Sequence, residues 1–365
     1  MPTEKKLDEL KTFLTKENIW HKCDHSIKFE TFFKTGGLIK VYITPQSTEA
    51  LENTISYLYK TKTEYKIIGF TSNIILFDEI EYSVIISTKN LTDITIKNNC
   101  IDVGCGYSLQ DFVRIAVING APGFEGLEGI PGSIGGAIFM NAGAYGYCIS
   151  DHIISIDYLD TSGTRHTILK DDCNFNYRTS FFKNSSNIII SARFDLQKKS
   201  KQAEITKNIE IFHIARHSYQ EFSYPNLGSM FSVKRNFYEE LIKNESMFYK
   251  TCYYAIKLTF KNPISKFLNR KRPSNAPINW LILKKLDKNL YTPSKKGMNI
   301  FINDGKLSTR DSINYIIDIK NRLGDKFHIE NEAIFGPAFK IDPDFHSHYI
   351  ELKKALRNSN TEVPK

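Results

Sequence analysis

Residues 121–147 read APGFEGLEGIPGSIGGAIFMNAGAYGY. Glycine recurs throughout among other small residues. It accepts positive φ and carries no Cβ, so such a backbone can approach a flat or anionic group closely. Gly132, Gly135 and Gly136 are expected to turn tightly and present bare N–H groups, and successive amides of that kind form an anion-cradling nest. A turn with a purely structural purpose is the competing reading for any short glycine-rich loop. The length and specificity of this stretch favour a ligand site.

Working outward, IPGSIGGAIFMNAGAYG closely resembles the flavin-binding segment of the UDP-N-acetylenolpyruvoylglucosamine reductase family. The resemblance implies an α+β protein: a two-part FAD-binding fold of the vanillyl-alcohol-oxidase type, followed by a smaller α+β substrate-binding domain. It also assigns FAD contacts to Ile130, Pro131, Gly132, Ser133, Gly135, Gly136, Asn141 and Gly143. GFTSN at 69–73 stands where the family has G-x-G-S-N, a second phosphate-binding turn, which adds Gly69, Thr71, Ser72 and Asn73. The middle glycine is replaced by Thr71, a side chain that narrows the approach of a diphosphate and offers a hydroxyl as donor instead.

The rest of the chain agrees with this reading. At 365 residues, with 41% hydrophobic and 13% aromatic content, it is long enough for two or three domains around substantial cores. No apolar run approaches the roughly 20 residues that span a bilayer. The charged N-terminus lacks the apolar core of a signal peptide, so a cytoplasmic protein is expected. Six scattered cysteines include no C-x-x-C and read as reduced thiols, and the nine histidines include no H-E-x-x-H, so no metal site is expected. The net charge of +9 is spread along the chain except in KFLNRKR at 266–272. With no nucleic-acid module present, that charge suits capture of nucleotide-bearing small molecules, and nucleic acid is not an expected partner.

The resemblance, with a composition shift near 197–205, divides the chain into an N-terminal helical extension at 1–28 and two FAD-binding parts at 29–95 and 96–200. A substrate-binding part at 201–340 and a polar tail at 341–365 follow. Residues 1–26 are expected to form a helix with a capping polar tail. STEALENTISYLYKT opens with a capping signal and continues at helical spacing. YKIIGFTSNIILFD reads strand–turn–strand, YSVIIST and ITIKNNCIDVGCG give further strands, and SLQDFVRIAVING is a helix ending at Gly120. SDHIISIDYLD and HTILK form a hairpin through TSG, followed by the strand NIIISARFDL. A lysine-rich helix, KQAEITKNIEIFHIARHSY, crosses to the last part. LSTRDSINYIIDIKNRL has a capped start at Ser308 or Thr309 and one apolar face.

Three further motifs carry the chemistry that the resemblance implies. NYRTSFF matches the family's Y-R-x-S-x-F, so Arg178 would fork onto the substrate carboxylate, with Tyr177 and Ser180 positioning it. NLGSMF at 226–231 matches A-G-S-x-F, which makes Ser229 the proton donor and places Asn226 at the substrate. HIENEAIF matches L-E-x-E-V, so Glu332 would face Arg178 across the carboxylate, with Glu330 on the opposite side of the strand. The family's K-N-P follows A-G-S-x-F closely, but here FKNP comes only at 260–263, so 232–259 reads as an insertion. The short connection from the Arg motif to NLGSMF resembles the branch without a long substrate-closing tyrosine loop.

The implied reaction is reduction of the enolpyruvyl nucleotide sugar to UDP-N-acetylmuramate with NADPH as hydride donor. It belongs to peptidoglycan precursor synthesis, and through it to cell-wall biogenesis, cell shape and division. Two alternatives stay open from the sequence: a paralogue acting on another nucleotide sugar, and a non-catalytic relative that kept the fold. The oligomeric state is also open, with a monomer favoured.

Overall fold

The computed structural model describes residues 3–196, 200–232, 237–261, 275–285, 293–306, 308–324, 327 and 329–358. The last two residues of FKNP, and KFLNRKR, lie outside the described residues.

Helix α1 (Glu4–Lys16) buries Leu7, Leu10 and Leu14. It stops where Asn18 takes a left-handed conformation, at φ 53°. The helix expected to run on through residue 26 is therefore broken, and β1 (His21–Ser26) pairs antiparallel with β2 (Leu38–Ile43). Helix α2 (Thr48–Thr61) starts where Ser47 Oγ accepts the Ala50 N–H at 3.1 Å. Then come β3 (Lys66–Ile68), β4 (Ile74–Leu76) and β5 (Ile80–Ser87), and β5 pairs parallel with both β2 and β3. This first sheet is buried on both faces. Val41, Ile43, Val84 and Ile86 join the core under α1 and α2, while the alternate residues Tyr42 and Ile85 face a second core. Burial on both sides explains why Val84, Ile85 and Ile86 of β5 are apolar without alternation.

The second sheet is antiparallel throughout, in the order β11–β10–β12–β7–β6, built from β6 (Ile94–Lys97), β7 (Cys100–Gly104), β10 (Ile153–Leu159), β11 (Arg165–Leu169) and β12 (Ile188–Asp195). Helix α3 (Leu109–Ile118) buries Leu109, Phe112, Val113 and Ala116 in the first core. The short α4 (Ile134–Phe139) and the two-residue strands β8 (Gly143–Ala144) and β9 (Tyr147–Cys148) complete the glycine segment between the sheets.

Helix α5 (Gln202–Tyr219) crosses to the last part. That part holds α6 (Phe237–Leu241), α7 (Met247–Lys261), α8 (Ala276–Lys285), the β13 (Pro293–Ser294) and β14 (Gly297–Phe301) hairpin, and α9 (Thr309–Leu323). The residues read as an insertion thus carry α6 and most of α7, with Tyr238, Leu241 and Tyr253 buried. A capping box between Ser308 and Asp311 starts α9, and Ile313, Ile316, Ile319 and Leu323 are its buried face.

The chain then returns to the first sheet. Strand β15 (Glu332–Ile334) pairs parallel with β4, and β16 (Ala338–Ile341) pairs antiparallel with β5. Residues 341–365 were expected as a polar tail, but α10 (Pro343–Asn358) occupies most of that span and buries Phe345 and Leu352, seven residues apart, in the second core. Two buried positions at two helical turns, with Tyr349 packed beside them, suffice to dock a helix whose remaining residues are mostly polar. Among the described residues, no helix is long and apolar enough to cross a membrane, and no group of three metal-ligating side chains occurs.

Candidate active site

A cavity of about 1690 Å³ lies where the two sheets and the last part meet. Its walls come from the β3–β4 turn, the glycine segment, the Arg178 turn, residues 219–229 and residues 330–337.

In the β3–β4 turn, Thr71 sits at φ 60°, a conformation natural to the glycine it replaces. Its hydroxyl oxygen accepts the Phe32 N–H at 2.7 Å, which ties the turn to the entry segment TFFKTGG. Ser72 Oγ donates to the Pro131 carbonyl at 2.8 Å, joining this turn to the glycine loop. A Cβ on Gly69 would come within 2.6 Å of Ser133 Oγ, so the two loops pack too closely there for any other residue. Phe70 lines the wall beside them without closing the cavity.

The nest expected from the glycine loop is only partly free. Gly132 has φ 145° and faces the cavity, but the Gly135 N–H is used by the Cys105 carbonyl at 2.8 Å. The Gly136 N–H is used by the capping Ser133 Oγ at 3.3 Å. Both amides were expected bare; the helix cap consumes one and the Cys105 carbonyl the other. Ile130, Pro131, Gly132, Ser133, Gly135, Gly136 and Gly143 all line the cavity. Asn141 does not. It is buried, and its Nδ2 donates to the Asn176 carbonyl at 3.0 Å, fastening the Arg178 turn to the end of α4. Cys105 also lines this wall, but burial pushes its thiol up to about 12, so it stays protonated and is a poor nucleophile at neutral pH.

Arg178 occupies a two-residue reversal closed by reciprocal Asn176 and Thr179 backbone hydrogen bonds of 3.2 Å, and it is left-handed itself at φ 52°. Ser180 Oγ donates to the Phe139 carbonyl and pins the turn from below. The guanidinium reaches into the cavity with Nη1 on the Gly143 carbonyl at 3.1 Å and Nε on Glu330 Oε2 at 3.3 Å. Tyr177 was expected at the substrate; it is exposed, outside the cavity wall, and its hydroxyl donates to Glu330 Oε1 at 2.8 Å.

Ser229 follows a turn in which Asn226 is buried and its polar atoms are used. Nδ2 donates to the carbonyls of Glu221 and Tyr224, while Oδ1 accepts the Gly228 N–H at 2.9 Å. Asn226 lines the cavity, but its amide shapes the loop rather than reaching a ligand. Beyond Ser229, the Met230 carbonyl accepts the Glu330 N–H at 2.8 Å, so the serine loop and the glutamate strand lie side by side.

Glu332 also lines the cavity, and its N–H donates to the Asn73 carbonyl at 2.9 Å. The Asn73 side chain donates to the Glu330 carbonyl and accepts from Asn331, clamping the turn to this strand. Among the described residues, neither the Ser229 hydroxyl nor the Glu332 carboxyl takes a side-chain hydrogen bond. Both are available to a ligand. Glu330 overturns its expected position: it lines the same cavity as Glu332, because residues two apart on an extended strand share a face. That spacing alone was enough to find it.

The described geometry thus gathers a forked cation with a resident counter-ion, a free hydroxyl and a free carboxyl around one apolar-walled space, as acid–base chemistry on an anionic substrate requires.

Comparison with known proteins agrees. Residues 39–169 match a family model described as an FAD binding domain. The chain is 35% identical over 225 residues to a UDP-N-acetylenolpyruvoylglucosamine reductase of Fervidobacterium nodosum, covering 60% of this chain and 72% of that one. It is 33% identical over 227 residues to UDP-N-acetylenolpyruvoylglucosamine reductase 2 of Bacillus cereus, covering 62% and 74%. The fold matches the crystal structure of the Thermus caldophilus UDP-N-acetylenolpyruvylglucosamine reductase with a TM-score of 0.60 at 22% identity, over 86% of this chain and 98% of that one. The chain belongs to the UDP-N-acetylenolpyruvoylglucosamine reductase family.

Proposed function

We infer that this chain is an FAD-dependent reductase that converts UDP-N-acetylenolpyruvoylglucosamine to UDP-N-acetylmuramate at the expense of NADPH, in the cytoplasmic stage of peptidoglycan precursor synthesis. The observation that carries this reading is the convergence of Arg178, Ser229 and Glu332, from three distant parts of the chain, on one cavity with both glycine-bearing loops. Its partners are small nucleotides, and a monomer suffices because every proposed group comes from one chain.

The residues present fit FAD. The cavity holds more than a single drug-sized ligand, for which about 300–1,000 Å³ is usual. Gly69 and Gly132 line the cavity, and their missing side chains let the two loops close on Ser133 and Ser72. Gly69, Thr71, Ser72 and the 130–136 loop would hold the cofactor, whereas Asn73 and Asn141 contribute by fastening those loops to the catalytic segments. When bound, FAD supplies a hydride relay between NADPH and the enolpyruvyl double bond.

The protein's own groups do the rest. Arg178 pairs with the substrate carboxylate through the guanidinium edge that Gly143 and Glu330 leave open, and it stabilises the charge that grows there. Ser229 Oγ gives its proton to the carbon alpha to that carboxylate. Glu332 holds the far side of the carboxylate. Glu330 acts through Arg178 by fixing its rotation.

Anaerobic NADPH-reduced protein is therefore expected to regain its flavin absorbance when the enolpyruvyl nucleotide is added; a protein that stays bleached does not have this function. Glu330→Ala is expected to lower kcat/KM by about tenfold, roughly 1.4 kcal/mol. Glu330→Gln should recover part of that loss, because its one amide oxygen can still accept from Arg178 Nε. Equal kcat/KM for Glu330→Ala and the wild type would remove the positioning role.

A further inference from the structure

Basic residues are spread along the chain, but their excess is not. Residues 247–286 hold nine of the 49 Lys and Arg and none of the 40 Asp and Glu, so the rest of the chain is balanced. The stretch takes in α7, α8 and KFLNRKR, and none of its described residues lines the cavity.

Helix α7 is apolar on two faces. Tyr253 is buried, and Tyr249 and Ile256 pack with it against the second core. On the outer side Met247 and Phe248 are each 80% exposed, with Leu258 at 67% and Tyr254 at 47%. At 3.6 residues per turn Met247, Thr251, Tyr254 and Leu258 fall in one row, and Phe248 and Ala255 stand beside it. A helix that is apolar all round is ordinarily covered on every side, whereas among the described residues this outer row is open. Lys250 and Lys257, two turns apart, mark its flank, where Lys257 meets Glu239 at 2.7 Å and lies 5.8 Å from the Tyr254 ring. The neighbouring α8, joined to α7 by the Tyr249 hydroxyl on the Leu281 carbonyl at 3.0 Å, exposes Trp280 with Lys284 5.2 Å from its ring.

Large apolar side chains standing in solvent within a purely basic stretch call for a cover that is apolar and anionic at once. A second copy of this chain would bring an equal positive charge against it. A nucleic acid supplies the anions but no apolar layer for Met247 and Leu258. An anionic bilayer surface supplies both. We propose that α7 docks the protein on an anionic membrane surface, with its outer row seated at the boundary of headgroups and acyl chains and the basic stretch facing lipid phosphates. The protein then lies on the bilayer without crossing it, since no described helix is long and apolar enough to span one. This docking is independent of the chemistry under Proposed function, because the face and the cavity share no described residue.

Flotation of the full chain with lipid vesicles tests this. Wild type should bind vesicles of equal parts phosphatidylglycerol and phosphatidylcholine at least about tenfold more tightly than pure phosphatidylcholine, and high salt should erase most of the difference. Phe248→Ser combined with Leu258→Ser should weaken binding to the mixed vesicles by at least about tenfold with an unchanged melting temperature, because both side chains already stand in water. Replacing Lys266, Arg270, Lys271 and Arg272 together by Gln should remove the preference for the anionic lipid. Wild type that floats with neither vesicle overturns the proposal, whether or not any variant folds. Binding that survives the double substitution overturns it too, because α7 is then not the contact. Tighter binding to a duplex oligonucleotide than to the mixed vesicles gives the face to nucleic acid, and a wild-type dimer that the double substitution separates gives it to a second copy; either result overturns the membrane.

Discussion

Ser229→Ala is expected to leave NADPH bleaching of the bound flavin at the wild-type rate and to slow recovery of colour on adding the enolpyruvyl nucleotide by about 10²–10⁴-fold, the usual contribution of a positioned proton donor. That corresponds to roughly 3–5 kcal/mol of barrier. The separation between the two half-reactions follows from the geometry. Ser229 lies on the loop beside the Glu330–Glu332 strand, and among the described residues its hydroxyl has no side-chain hydrogen bond to lose. Removing Oγ therefore leaves the turn intact, since Asn226 and the Gly228 N–H build it. Rapid-mixing spectroscopy of each half-reaction makes the check. Equal slowing of both would mean that Ser229 shapes the cofactor site and delivers no proton.

Arg178→Met is expected to lower kcat/KM by about 10³-fold or more, because it removes both the carboxylate anchor and a preorganised charge in a partly enclosed site. Arg178→Lys should recover only part of this, since an ammonium cannot fork between a carboxylate, Gly143 O and Glu330 in one plane. The loss should appear in kcat as well as in KM, because charge on the carboxylate grows as the double bond is reduced. Both variants keep a non-glycine residue at φ 52°, so the strain of the turn is unchanged and differences between them report the head group. Loss confined to KM would make Arg178 a binding residue only. Activity within a few-fold of wild type would exclude it from the reaction.

Much of this was legible along the chain. Period-2 and helical patterns announced β2, β3–β5, β10–β12, α2, α3, α5 and α9, and the caps at Ser47, Ser108 and Ser308 lie where short polar residues precede apolar periodicity. Local chemistry sufficed because each element's buried face is written at its own spacing. The misread ends had weaker local signals. β1 presents polar residues on an edge and is a strand only because β2 lies beside it, and α10 docks through two widely spaced apolar residues. Motif spelling likewise found the residue types at the site while missing how they are used. Asn141, Asn73 and Asn226 matched cofactor or substrate positions, yet the first two hold one loop to another and Asn226 braces its own.

Residue identity thus dictated where glycines, an arginine, a serine and a glutamate would stand, because steric freedom, permanent charge and proton chemistry belong to single side chains. Their alliances were decided only when β15 crossed some 250 positions of chain to lie on β4. That pairing set Glu330 against Arg178, left the Glu332 carboxyl and the Ser229 hydroxyl without side-chain hydrogen bonds among the described residues, and closed one wall of the cavity. Long-range strand pairing and burial are properties of two segments together, so no window of sequence contains them.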